Sequence, residues 1–234
     1  AAFVAVKLIY FIVRKLDEKY VETGFRHGQT ITACLVALSH GTNDAQKTMG
    51  IITLTLIAVG LQPSGSGPQL WVIAVCGLAI ALGTYMGGWR VIRTLGKGLT
   101  EIATPQGFAA EASSATTILV SSHLGFALST TQVCSGSIIG SGLGKKGGAI
   151  DWKVAARMLI AWLVTFPAAG VIGAAACAVA KINVWGTLAV AAIAVVAALI
   201  IFRLSRRNPI NAMNVNEGSE VKVNAKVATA AAAA

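Results

Sequence analysis

The chain is poor in charge. Only 12% of its 234 residues are Asp, Glu, Lys or Arg, and nine are acidic. Set against 55% hydrophobic residues and a mean hydropathy of +0.71, that excludes an ordinary soluble domain, which carries about a quarter charged residues. Cysteine is scarce too. Cys34, Cys76, Cys134 and Cys177 stand singly within apolar stretches. They show no Cys-x-x-Cys or Cys/His spacing, so a disulfide framework or zinc site is excluded and inert buried thiols are expected. The formal charge of +10 does not point to nucleic acid, because the basic residues cluster in short connectors rather than along one helix face. What the chain has in abundance is long apolar runs, and these predict an all-α polytopic membrane protein.

The chain opens without Met inside an apolar run, residues 1–13. That run is shorter than the ~20 residues a crossing needs. It reads as a truncated segment rather than a signal peptide, since no basic stretch precedes it and no small-residue cleavage site follows. A mixed-charge connector fills 14–27, and an apolar stretch at 29–61 is interrupted by polar residues near its middle. The stretch is too long for one simple span, so a helix broken near 41–44 is expected, as tolerated at membrane depth where it lines a cavity. A Pro/Gly/Ser turn at 62–68 leads to a span at about 70–86 and a loop with Arg90, Arg93 and Lys97. Residues 105–144 form two short segments meeting at a polar break around 129–132, which predicts a re-entrant hairpin, with two full crossings as the alternative. Two spans follow at about 158–180 and 185–202. The domain division expected is 1–27, a membrane-embedded unit over 28–203, and a cytoplasmic disordered tail over 204–234. The basic groups Arg14/Lys15/Lys19, Arg90/Arg93/Lys97, Lys145/Lys146 and Arg203/Arg206/Arg207 then all fall on one side, the cytoplasmic one.

The polar interruption holds Ser39, His40, Thr42, Asn43, Asp44, Gln46, Lys47 and Thr48. A carboxylate and an ammonium cost several kcal/mol each in hydrocarbon, so they persist there by pairing, by holding an ion or by lining a wet path. Asp44 and Lys47 are three residues apart and can neutralise one another on one helical face. Asn and Asp oxygens are hard ligands suited to Na+, and Asp44 can instead carry a proton. His40 fits a structural role at a helix break. Farther on, Ser129, Thr130 and Thr131 precede a Gly-spaced segment, a composition that opens a half-helix able to hold an anion; plain hydroxyl bonding to helix carbonyls explains it equally well. Glu111 among Ser113, Ser114 and Thr116 reads either as a site residue or as an interfacial carboxylate reaching water.

Three blocks now stand in order: Ser-His-Gly-Thr-Asn-Asp-Ala-Gln-Lys at 39–47, Gly-Phe-Ala-Ala-Glu-Ala-Ser-Ser-Ala at 107–115, and Ser-Thr-Thr at 129–131. With these the chain resembles the inorganic phosphate transporter (PiT) family of cation-coupled symporters. The resemblance implies one half, the C-terminal one, of an inverted-repeat secondary transporter, because the family carries each block twice and this chain once. It implies cation binding by Asn43, Asp44 and Glu111, phosphate binding by Ser114, Ser129, Thr130 and Thr131 in the same cavity, and a pathway past Gln46, Lys47 and Gln132. Ala-Leu-Ser-Thr-Thr-Gln at 127–132 departs from the family's Pro-Val-Ser-Thr-Thr-His, and Gln132 cannot titrate as His would. The expected function is H+- or Na+-coupled symport of inorganic phosphate across the cell membrane, with no enzyme activity, no resident metal beyond Na+ at Asn43 and Asp44, and no cofactor. Its partners are the lipid bilayer and a missing N-terminal repeat or second chain. The alternatives are a symporter for another oxyanion such as sulfate and a non-transporting membrane assembly subunit.

Overall fold

The computed structural model describes residues 1–126, 128–206, 210–211 and 213–215. Its elements are α1 (Ala2–Val13), α2 (Glu18–Ala58), α3 (Leu70–Tyr85), α4 (Trp89–Arg93), a single π turn (Thr94–Gly98), α5 (Thr104–His123), α6 (Thr130–Gly144), α7 (Trp152–Ala180) and α8 (Val184–Ser205). The chain forms two compact units, residues 1–150 and the segment from 151.

Local chemistry sets most boundaries. Asp17, Ser129, Asp151 and Asn183 are N-caps whose side chains accept from the first helical amides, which satisfies donors that the helix cannot. The α2–α3 turn uses Gly60 and Gly65 at positive φ, and Pro105 sits in the first turn of α5, where its missing N–H costs nothing.

The expected break near 41–44 is absent. α2 is one helix of 41 residues, about 61 Å long at 1.5 Å per residue. No proline lies within it. Its hydroxyls bond inside their own helix, Ser39 to the Leu35 carbonyl at 2.6 Å and Thr42 to the Leu38 carbonyl at 2.9 Å. Gly41 costs only about 1 kcal/mol, so nothing interrupts the ladder. The same helix begins at Glu18, and the backbone has no break at 27/28. The expected loop after residue 86 is also helical: α4 and the π turn continue α3 at a bend of 58°, made at Gly87 with φ +85°.

α2 and α5 run parallel at one register. Gly28 faces the Phe108 ring, Gly107 faces Gln29, and Phe25 meets Phe108 edge-on at 5.2 Å. α6 turns back along α5, and α1 runs parallel to α6 through Gly140 and Gly144; a Cβ at Gly144 would strike Val6 and the Phe3 carbonyl. Small residues allow this close approach where lipid gives helices no hydrophobic reason to associate. An antiparallel bridge between Thr100 and Ile150 ties the start of α5 to the end of α6. The basic connectors at 14–19, at Lys97 and at 145–146 thus converge on one end of this unit.

The second unit is a helical hairpin. α7 and α8 are both long and apolar enough to span a membrane, and α3 with its bent continuation makes a third candidate. No α7 or α8 residue is buried, as suits side chains that face lipid. Of the cysteines only Cys76 is buried. Cys34 and Cys177 are exposed, a correction to the expected burial: helices that face lipid hold apolar side chains on their outer surface. Arg207 and most of the expected disordered tail lie outside the described residues, as does Ala127.

Candidate functional site

The α5–α6 turn lies beside the middle of α2. Beyond Asp44, α2 continues for 14 more residues, about 21 Å, so the hairpin stops well short of the end of its neighbour. The helices of 20 and 15 residues thus form a short hairpin packed along part of α2. Gly125, at φ +79°, ends α5, and the Leu128 carbonyl faces Asn43 and Lys47 of α2.

Polar groups from α2, α5 and α6 meet at this tip. Asn43 is buried, 3% exposed; its Nδ2 donates to the Leu128 carbonyl at 2.9 Å and to Asp44 Oδ1 at 3.0 Å, and its Oδ1 accepts from Ser122 at 3.5 Å. The Lys47 ammonium lies 3.2 Å from Asp44 Oδ1 and 2.5 Å from the same Leu128 carbonyl. On the other side of the carboxylate, Asp44 Oδ2 is 3.3 Å from His40 Nδ1, and that nitrogen is 3.0 Å from Thr130 Oγ1. A cleft of about 210 Å³ opens beside them, lined by Asn43, Gln46, Lys47, Ser122, Gly125 and Phe126. At about 30 Å³ per water this is room for a small oxyanion with some of its hydration.

The Asp44–Lys47 ion pair is about one-third exposed at each partner. Pairs so open to water contribute about 0–1 kcal/mol, so the pair adds little to the stability of the fold. The same cluster holds two kinds of chemistry side by side: hard oxygens on Asp44, Asn43 and Leu128 that suit a small cation, and donors on Lys47, Asn43, Gln46 and Ser122 that suit an anion.

Not every residue singled out in the sequence reaches this tip. Ser129 caps α6, with its Oγ 3.4 Å from the Gln132 amide. Thr130 is buried against His40, whereas Thr131 and Gln132 are exposed. Glu111 stands 11 residues before Ser122 on α5, about 16 Å away along the axis, and belongs to a second cluster. There its carboxylate accepts from Thr32 at 2.6 Å and Gln29 at 3.5 Å. Ser114 is buried and bonds its own helix at the Ala110 carbonyl, 2.8 Å away. Within this chain the residues assigned by the resemblance therefore stand in two clusters along one α2–α5 seam. Sequence reasoning missed Gln29, Thr32, Ser122 and the Leu128 carbonyl. Thr32 and Ser122 sit 79 residues from Glu111 and Asn43 respectively, an equal offset that signals a shared register once the parallel pairing is known. A backbone carbonyl leaves no side-chain signal at all.

Comparison with known proteins identifies the family. The model of the phosphate transporter family matches residues 4–173. A probable low-affinity inorganic phosphate transporter of Mycobacterium leprae is 52% identical over 220 residues, 93% of this chain and 53% of that protein. One from Bacillus subtilis is 39% identical over 75% of this chain and 54% of its own length. A solved structure, "The sodium-dependent phosphate transporter", superposes with a TM-score of 0.57 at 31% identity, over 68% of this chain and 42% of that one. The chain thus spans about half the length of the curated relatives it matches, and those relatives are transporters rather than enzymes. Family model, relatives and solved fold converge, and the chain belongs to the phosphate transporter family.

Proposed function

We propose that the chain takes part in cation-coupled symport of inorganic phosphate across the cell membrane, with Na+ or H+ and phosphate meeting at the α5–α6 tip and a second repeat completing the path. One observation carries this reading: the Lys47 ammonium occupies both Asp44 Oδ1 and the Leu128 carbonyl. Those are the oxygens a small cation would take, so the ammonium holds the cation's place. A cation or proton arriving at Asp44 frees Lys47 to turn into the adjoining cleft, where Asn43, Gln46 and Ser122 supply further hydrogen bonds. Phosphate entering first would face an uncompensated Asp44 as soon as it drew Lys47 away. Each ligand therefore favours the other, which is coupling.

The test is phosphate uptake into proteoliposomes, with the N-terminal repeat supplied, under separate Na+ and H+ gradients. Asp44→Asn keeps size and hydrogen bonding and should abolish gradient-driven uptake while leaving insertion intact. Lys47→Gln should retain cation binding and lose phosphate affinity. Near-normal coupled uptake by Asp44→Asn would overturn the assignment. Equal inhibition by excess sulfate would make the substrate an oxyanion in general rather than phosphate.

A further inference from the structure

A second cleft, of about 560 Å³, lies at the opposite, basic end of the first unit. It is lined by Lys7, Tyr10, Phe11 and Arg14 of α1 and its end, and by Gly144, Lys145 and Lys146 where α6 stops. Lys7, Phe11 and Arg14 follow an i, i+4, i+7 pattern and share one face of α1. α6 ends at Gly144 while the parallel α1 runs on, and the space left beyond that end is the cleft.

Four cations and no carboxylate line it, and among the described residues none of the four has an ion-pair partner. Lys7 has only the Phe3 ring, 4.4 Å from its ammonium, and Arg14 the Phe11 ring at 4.5 Å. α1 is apolar but for Lys7 as far as Arg14, where the charged connector at 14–19 begins. Lys7 lies seven residues before Arg14, about 10 Å along the axis. An ammonium within so apolar a run is costly in lipid unless an anion meets it. The walls are nevertheless mostly carbon, from the Tyr10 and Phe11 rings and the side-chain stems. The outer face of α1, with Val4, Leu8, Phe11 and Ile12 exposed, leads from the cleft into the lipid.

We propose that this cleft binds the headgroup of an anionic phospholipid, with Lys7, Arg14, Lys145 and Lys146 around the phosphodiester and the first acyl carbons against Tyr10 and Phe11. Free phosphate would satisfy the charge but has no use for apolar walls. A neutral lipid would satisfy the walls but not the charge. Basic clefts between membrane helices at the headgroup level select anionic lipids on these grounds.

The experiment titrates the detergent-purified full chain with phosphatidylglycerol carrying a fluorescent acyl chain, read by anisotropy, against the same label on phosphatidylcholine. Wild type should prefer phosphatidylglycerol by about ten-fold or more. Lys7→Met with Arg14→Gln, Lys145→Gln and Lys146→Gln should bind the two lipids equally. Lys145→Arg with Lys146→Arg should keep the preference, which holds the test open if the charge-stripped protein does not fold. Equal binding of both lipids by wild type, a preference surviving in the charge-stripped variant, or displacement of the labelled lipid by millimolar inorganic phosphate would each overturn the proposal. The readout needs no transport, so failure here leaves the symport reading untouched and the reverse holds as well.

Discussion

Thr130 and Thr131 carry neighbouring hydroxyls of one motif in two different environments. Thr130 is buried and bonded to His40, and Thr131 is exposed at the start of α6. Thr130→Val should therefore act through His40, costing about 0.5–1.5 kcal/mol of stability for a neutral hydrogen bond, visible as a lower thermal midpoint in detergent. Thr131→Val should leave both stability and apparent phosphate affinity near wild type, because its exposed hydroxyl stands outside the tip cluster. Thermal unfolding and uptake titration against phosphate concentration check the pair. Equal effects of both variants would mean that the burial difference does not govern their roles. Asp44 is the residue whose importance the sequence made plainest, because an acid flanked by apolar segments needs a reason to be there. Its second partner, the His40 imidazole on the face opposite Lys47, became visible only with the helix unbroken.

Helix α6 shows how an element can be legible in composition yet not in orientation. Gly136, Gly140 and Gly144 recur every four residues, and any of them could mark a packing face. Only two do: Gly140 and Gly144 lie against α1, whereas Gly136 faces open space. Gly144→Val should force α1 from α6 and destabilise the unit by about 1–3 kcal/mol, the usual cost of overpacking. Gly136→Ala should be neutral or slightly stabilising, since helix propensity improves and nothing is struck. Thermal unfolding of the two variants checks this, and equal midpoints would remove the close α1–α6 contact from consideration. In the second unit, Asp151 Oδ1 accepts from the Lys153 and Val154 amides at 2.9 and 3.1 Å. Asp151→Ala should cost about 0.5–2 kcal/mol and raise hydrogen exchange in the first turn of α7 while leaving α8 unchanged.

At the scale of the whole molecule, the convergence of the connectors at 14–19, at Lys97 and at 145–146 on one end of the first unit agrees with the one-sided distribution of basic residues expected from orientation in a bilayer. Cysteines placed singly at Lys146 and Lys15 should both react with a membrane-impermeant reagent only from the cytoplasmic face, and labelling of either from outside would invert the topology. The relatives are about twice the length this chain covers. A site shared between two repeats would then leave the chain alone inserted but inert. Co-expression with a matching N-terminal repeat should restore phosphate uptake, whereas robust uptake by the chain alone would mean that two copies build one path.

Membrane class, the spans later seen as α7 and α8, and the family itself could be read from the sequence. Each is a local property: the bilayer imposes its desolvation cost segment by segment, and a motif is carried by adjacent residues. The continuity of α2, the distance of Glu111 from the tip cluster, and the bonds of Asn43 and Lys47 to the Leu128 carbonyl were decided only by tertiary structure. They depend on a register between segments about 80 residues apart, held by Gly28 on Phe108 and Gly107 on Gln29. Small residues are so common along these helices that no pattern in them singles out one pairing before the backbones meet.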